Sequence, residues 1–464
     1  MVNQEICWMS AVDMAAAIRE KKLSPVEVVS AILERIEAIN PKINAYVTLT
    51  AETAMAEAKV AEDAAMRGGK LGPLHGVPVS IKDLVFTKGV RTTMGSKLMQ
   101  DFVPDEDAVL VARLKEAGAI VLGKTNTPEF GLKMLTDNLV FGVTRNPWNL
   151  ERSPGGSSGG AASAVASGLG PLASGSDGGG SIRLPSSCCG VFGIKPQFGR
   201  VPRYPISHGG DVLTHEGPIT RTVRDAAMML DVMAGHHWGD IYSIRAPETS
   251  FANALQGGVR GLKIAWSRDL GYAEVDPQVL EICERAAKQF SLMGADVEEA
   301  HPGFDNPAPH HSTLYVVDHV EALSCFGPPD RIAANLDPLT ATMLYVGAEV
   351  KATDYAKAMY AKQDLAAEAG RFFRTYDVLL TPTLALPPPP VEVPNPADFL
   401  NWLPFITVFN MTGQPAASIP AGWTDDGLPV GLQIIGRAHD EATVFRVAAA
   451  FEEAHPWAHE RPTG

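Results

Sequence analysis

Ser153-Pro154-Gly155-Gly156-Ser157-Ser158-Gly159-Gly160, followed further on by Gly175-Ser176-Asp177-Gly178-Gly179-Gly180-Ser181-Ile182-Arg183, is the stretch that decides how this 464-residue chain is read. Two serines sit in glycine beds. Glycine lacks a Cβ, so each bed can take positive φ and turn successive backbone N–H groups inward, making a rigid anion-stabilising nest beside a hydroxyl. That geometry suits acyl transfer. Upstream, His75-Gly76-Val77-Pro78-Val79-Ser80-Ile81-Lys82-Asp83 is a short apolar, strand-like run ending in a lysine.

Taken alone, Gly155-Gly156-Ser157-Ser158-Gly159 also fits G-x-S-x-G, the nucleophile elbow of α/β-hydrolases, which needs a strand directly before it. The preceding Asn146 to Pro154 is polar and proline-broken, so that strand is not expected. The three residues Lys82, Ser157 and Ser181, the two serines 24 residues apart, use more of the sequence. In that order and setting the chain resembles the amidase signature family of serine hydrolases. Further resemblance runs from Ser24-Pro25-Val26-Glu27-Val28 through Lys124-Thr125-Asn126-Thr127-Pro128-Glu129-Phe130 to Asn410-Met411-Thr412-Gly413-Gln414-Pro415-Ala416.

The resemblance implies a Ser–cis-Ser–Lys triad: Ser181 as nucleophile, Ser157 as the bridging serine after a cis bond from Gly156, and Lys82 as base. Desolvation disfavours an ammonium, so a buried Lys82 can accept a proton near neutral pH. The oxyanion is expected at the backbone N–H groups of Gly178, Gly179, Gly180 and Ser181, with Asp177 and Arg183 pairing to fix the loop. Thr127 and Met134 are the candidate substrate contacts. Such chemistry requires no metal or organic cofactor. The implied substrates are neutral amides with an apolar or aryl group, with carbamates (urethanes) and esters open to the same acyl-enzyme route. An alternative is the glutaminase subunit of a tRNA-dependent amidotransferase; it usually carries Thr where Gly178 stands. A homodimer is plausible from the resemblance.

Outward from these motifs, helical and apolar strand-like segments alternate, which predicts one large α/β domain over 1–464, a mixed sheet covered by helices on both faces. Helices are expected in 1–66, an alanine-rich one over 45–66, and a catalytic core over 70–235. Strands are expected at 120–124, 261–266, 378–382, 416–420 and 430–436, the last three within a C-terminal part spanning 376–464. Prolines and histidines in 300–345 predict a variable loop or lid, and Pro387 to Pro396 an extended connector.

A hydrophobic fraction of 45% and a charged fraction of 20% belong to a globular protein, and a net charge of −14 without a basic stripe argues against nucleic acid. Five unpatterned cysteines predict free thiols and a reducing compartment. With no apolar run of membrane-spanning length and no signal-peptide pattern at the start, the expected place is the cytoplasm, without a membrane partner. His301, His310, His311 and His319 lack metal-ligand spacing. Cys188 and Cys189 read as packing residues.

Overall fold

Aliphatic and β-branched runs set the strands, and their alternation sorts side chains onto two faces. The computed structural model describes residues 4–206, 212–393 and 396–462. Its strands are β1 (Tyr46–Leu49), β2 (Pro78–Lys82), β3 (Ile120–Thr125), β4 (Leu172–Asp177), β5 (Phe192–Lys195), β6 (His215–Thr220), β7 (Lys263–Trp266), β8 (Asp296–Glu299), β9 (Val378–Pro382), β10 (Ala416–Trp423) and β11 (Pro429–Gly436). All 11 join one sheet in the order β1-β3-β2-β4-β6-β5-β10-β11-β9-β7-β8. It is mixed: β2 runs parallel to β3 and β4, β7 parallel to β8 and β9, and the remaining pairs are antiparallel.

Successive strand residues point to opposite faces. In β9, Val378 and Leu380 enter one core cluster while Leu379 enters another; in β11, Leu432 and Ile434 divide in the same way from Ile435. The larger cluster is closed by helices Ala51–Arg67, Val223–Met233, Pro277–Leu292 and Glu441–Ala454. Helix Gly159–Ala166 contacts β4 and β6, and Arg183–Cys189 contacts β5, β10 and β11. The expected sheet clad on both faces is therefore the observed fold.

Two expectations are corrected. Residues 45–66 do not form a single helix: Asn44, at φ 52°, ends the Pro25–Ile43 helix, and β1 pairs with β3 before a helix begins at Ala51. Tertiary pairing there overrides the neighbouring alanine-rich propensity. Nor is 300–345 mainly loop, because it holds helices Ala308–Ser324 and Pro338–Ala348, packed on each other and followed by Ala352–Phe372. Pro309, Pro329 and Pro338 stand in first turns of helices, where the missing N–H costs nothing, and Asp337 caps the Pro338–Ala348 helix by accepting from the Leu339 N–H at 3.0 Å. Of the proline connector, Pro394 and Asn395 lie outside the described residues.

Candidate active site

Lys82 ends β2, whose Val79 and Ile81 anchor the strand in the larger core. Its side chain is fully buried, with Nζ 2.7 Å from Ser157 Oγ and 2.9 Å from Ser176 Oγ. Burial pulls the amine down to about 7, against the opposing pull of Glu216 and Asp177. Burial thus favours the uncharged amine, whose lone pair can take a hydroxyl proton while an N–H donates to Ser176.

Ser157 follows a cis peptide bond from Gly156 and precedes the Gly159–Ala166 helix. No strand leads into it: between Asn146 and Gly156 the described backbone forms only isolated bridges, Asn146 to Asn149 and Arg152 to Pro390. The nucleophile-elbow alternative lacks its framework. Ser181 instead ends a loop that connects β4 to the Arg183–Cys189 helix. Ser157, Ser176, Gly178 and Ser181 all line one narrow recess.

Asp177 and Arg183 form the expected pair, both fully buried, with Nη2 to Oδ1 at 2.9 Å and Nε to Oδ2 at 3.0 Å. Burial alone would raise the Asp177 carboxyl, but the guanidinium outweighs it and holds the group well below the usual carboxylate range. Arg183 also donates to Gln433 Oε1, Asn410 Oδ1 and the Ile406 carbonyl, tying the loop to β11 and to the Thr407–Thr412 helix. Asp177 accepts from the N–H groups of Gly180 at 2.7 Å and Ile182 at 3.2 Å.

That last contact corrects one expectation. The Gly180 N–H is committed to Asp177, which leaves the N–H groups of Gly178, Gly179 and Ser181 as candidate oxyanion donors. The glycine at 180 is required for other reasons: its φ is +113°, and a Cβ would meet Ile406 Cδ1 at 2.1 Å. Thr127 is likewise corrected. It is fully buried beside β3, its hydroxyl donates to the Pro128 carbonyl, and it does not line the cavity. Met134 does.

A cavity of about 630 Å³ is walled by Leu132, Met134, Val316, Met343, Leu386 and Leu403 among others, with Lys133, Glu274, Asn306 and Asn401 in its polar lining. Tyr315 lines both this cavity and the serine recess, so the two adjoin. The arrangement sets two serine hydroxyls, a proton acceptor and backbone donors beside a mostly apolar chamber.

Residues 27–445 match the amidase family. The chain belongs to the amidase signature family. An acylamidase of Rhodococcus erythropolis is 42% identical, covering 100% of this chain and 98% of that protein. A glutamyl-tRNA(Gln) amidotransferase subunit from Moorella thermoacetica is 39% identical, covering 99% of each. Among solved structures, a bacterial aryl acylamidase of the same family superposes with a TM-score of 0.91 at 32% identity over 97% of both chains. This amidase is thus an enzyme that hydrolyses amides.

Sequence reading missed Ser176, Glu216 and His311. Ser176 lies opposite Glu216 in the β4–β6 ladder, a register that no local pattern announces. Glu216 is buried, its Oε2 has no hydrogen-bond partner, and burial lifts its carboxyl to about 7 against Arg203 and Lys82. His311 and His319 are buried and bond to backbone carbonyls of Gly178 and Tyr315. Their spacing with Tyr315, four apart each way, is the helical-stripe signal that was available. All five cysteines are free, with Cys188 and Cys189 buried and their thiols pushed up by desolvation. Among the described residues, no helix is long and apolar enough to cross a membrane.

Proposed function

We propose that this amidase is a stand-alone hydrolase of neutral amides bearing an apolar or aryl group, and of the corresponding carbamates and esters, acting through an acyl-enzyme on Ser181. The observation that carries the mechanism is the desolvated Lys82 amine 2.7 Å from Ser157 Oγ, held to about 7 by burial. Lys82 takes the Ser157 proton as Ser157 takes that of Ser181, and Ser181 Oγ adds to the carbonyl. Negative charge builds on the carbonyl oxygen against the Gly178, Gly179 and Ser181 N–H groups. Ser157 returns a proton to the leaving nitrogen, the C–N bond breaks, and water repeats the cycle to free the acid.

The mostly apolar wall of the cavity, aliphatic and aromatic, supports an apolar group as the recognised part of the substrate. Against the glutaminase-subunit reading stands Gly178, where a Cβ would meet Thr214 Oγ1 at 2.9 Å and Tyr315 Cε2 at 3.4 Å. The threonine usual in that subunit has no ready space here. The test is release of aniline or nitroaniline from a panel of aryl amides, carbamates and esters by wild type beside Ser181→Ala. Turnover lost in the variant is expected; turnover retained would remove Ser181 as nucleophile. Ammonia from glutamine together with a co-purifying partner would favour the amidotransferase role. Light scattering checks the homodimer.

A further inference from the structure

The Ala308–Ser324 helix does more than wall the cavity. One turn apart on it, two side chains reach opposite parts of the catalytic apparatus: His311 Nε2 lies 2.9 Å from the Gly178 carbonyl, and the Tyr315 hydroxyl donates to the Gly131 carbonyl at 3.0 Å. Gly131 abuts the bridging serine, since a Cβ there would meet Ser157 Oγ at 3.3 Å. The two rings stack at 5.6 Å with 20° between their planes. A single helix therefore spans the Ser157 side and the 178–181 loop.

A carbonyl oxygen only accepts, so His311 carries a proton on Nε2 and donates it to Gly178. Burial lowers the ring's affinity for a second proton, opposed by the Gly178 bond, and this keeps the imidazole neutral. The Gly178–Gly179 peptide is planar and trans, so its N–H points opposite to its C=O. Fixing the Gly178 oxygen therefore fixes the direction of the Gly179 N–H, and a donor on the carbonyl polarises that N–H further. The fit is close: a Cβ on Gly179 would meet His311 Cε1 at 3.0 Å.

We propose that His311 is a positioning residue that aims the Gly179 N–H at the developing oxyanion, so that the Ala308–Ser324 helix sets the catalytic power of the loop it touches. The inference rests on the reading of Ser181 as nucleophile. It predicts a group that touches no reacting atom yet acts mainly on the transition state.

His311→Phe keeps the ring stack and removes the donor, whereas His311→Gln restores an N–H near the Nε2 position. On an aryl amide, His311→Phe is expected to lower kcat roughly 10- to 100-fold, less than the about 10²–10³-fold of deleting an oxyanion donor outright. KM stays within about twofold, because phenylalanine keeps the ring that His311 presents to the cavity wall. Affinity for an arylboronic acid, whose boron takes the Ser181 oxygen and becomes a tetrahedral anion, falls by the same factor as kcat/KM. His311→Gln recovers most of both. If His311→Phe does not fold, His311→Asn, whose shorter amide cannot reach Gly178, replaces it. A kcat within about twofold of wild type in the donor-less variant overturns the proposal. A loss carried by KM alone, or a boronate affinity that does not move, also overturns it. Ser181→Ala, assayed beside these, separates the two ideas: activity retained there overturns the catalytic reading and this inference together, while activity lost there with His311→Phe unimpaired overturns the inference alone.

Discussion

A lysine amine held between two hydroxyls and away from water is disfavoured as a cation, and the pH dependence of turnover follows from that. With the folded Lys82 at about 7, the neutral base is scarce below that value and prevalent above it, so kcat/KM rises through about pH 7 and then levels. Lys82→Ala is expected to lose about 10²–10⁴-fold in kcat and to abolish this limb. Turnover that stays flat across the same range, with Lys82→Ala active, would count against a titrating base. Glu216 adds a second prediction. Its carboxylate favours the charged ammonium, so Glu216→Gln should move the midpoint of the limb to lower pH; a pH series of initial rates with an unchanged midpoint would show that Glu216 has no electrical hold on the site. Lys82, Ser157 and Ser181 stand out in the sequence as candidates because each sits in a local pattern of its own. Glu216 and Ser176 do not, because β4 pairs with β2 on one side and β6 on the other, and only that pairing brings them to Lys82.

At the level of elements, the loop from β4 to the Arg183–Cys189 helix is held by one buried ion pair rather than by its own hydrogen bonds alone. Asp177→Asn would leave the fully buried Arg183 guanidinium without its counter-charge, which costs about 3–5 kcal/mol and should show as a lower denaturant midpoint. Surviving folded protein should also have lost turnover, since the Gly180 and Ile182 N–H groups lose an ionised acceptor. An unchanged midpoint would mean that Asn410 and Gln433 suffice to hold the arginine. Sequence pattern revealed the Asp177–Arg183 pair, six residues apart, but not those two partners, 227 and 250 residues away. Elements followed the same rule. β2, β3, β9 and β11 announced themselves as apolar runs, whereas β1 exists through its pairing with β3, and the cap helices were hidden by prolines that stand at helix starts.

On the scale of the whole molecule, the helices Ala308–Ser324 and Pro338–Ala348 pack on each other as a cap beside the cavity, and a buried ion-pair cluster holds them there. Lys133, on the loop that borders the cavity, bridges Asp137 and Asp337 at 2.8 Å each; the Asp337 N–H donates to Glu129 Oε2 at 2.7 Å. Burial alone would lower the Lys133 ammonium, yet the two carboxylates outweigh it and hold the group above its ordinary value. Asp337 thus has three tasks: it caps the Pro338–Ala348 helix, pairs with Lys133 and pins its backbone to Glu129. Asp337→Ala removes the cap, worth about 1 kcal/mol, and leaves the mostly buried Lys133 with one carboxylate instead of two. Leu339 and Met343 of that helix line the cavity, so a loosened cap should weaken substrate binding and raise KM. kcat should fall less, because Lys82, Ser157 and Ser181 belong to the sheet and its loops. Hydrogen exchange checks the structural half of the argument: amides of the cap helices should lose protection while those of β4, β10 and β11 keep theirs. Equal loss in the strands would mean that Asp337 supports the whole fold, and that the cap does not open separately from the sheet beneath it.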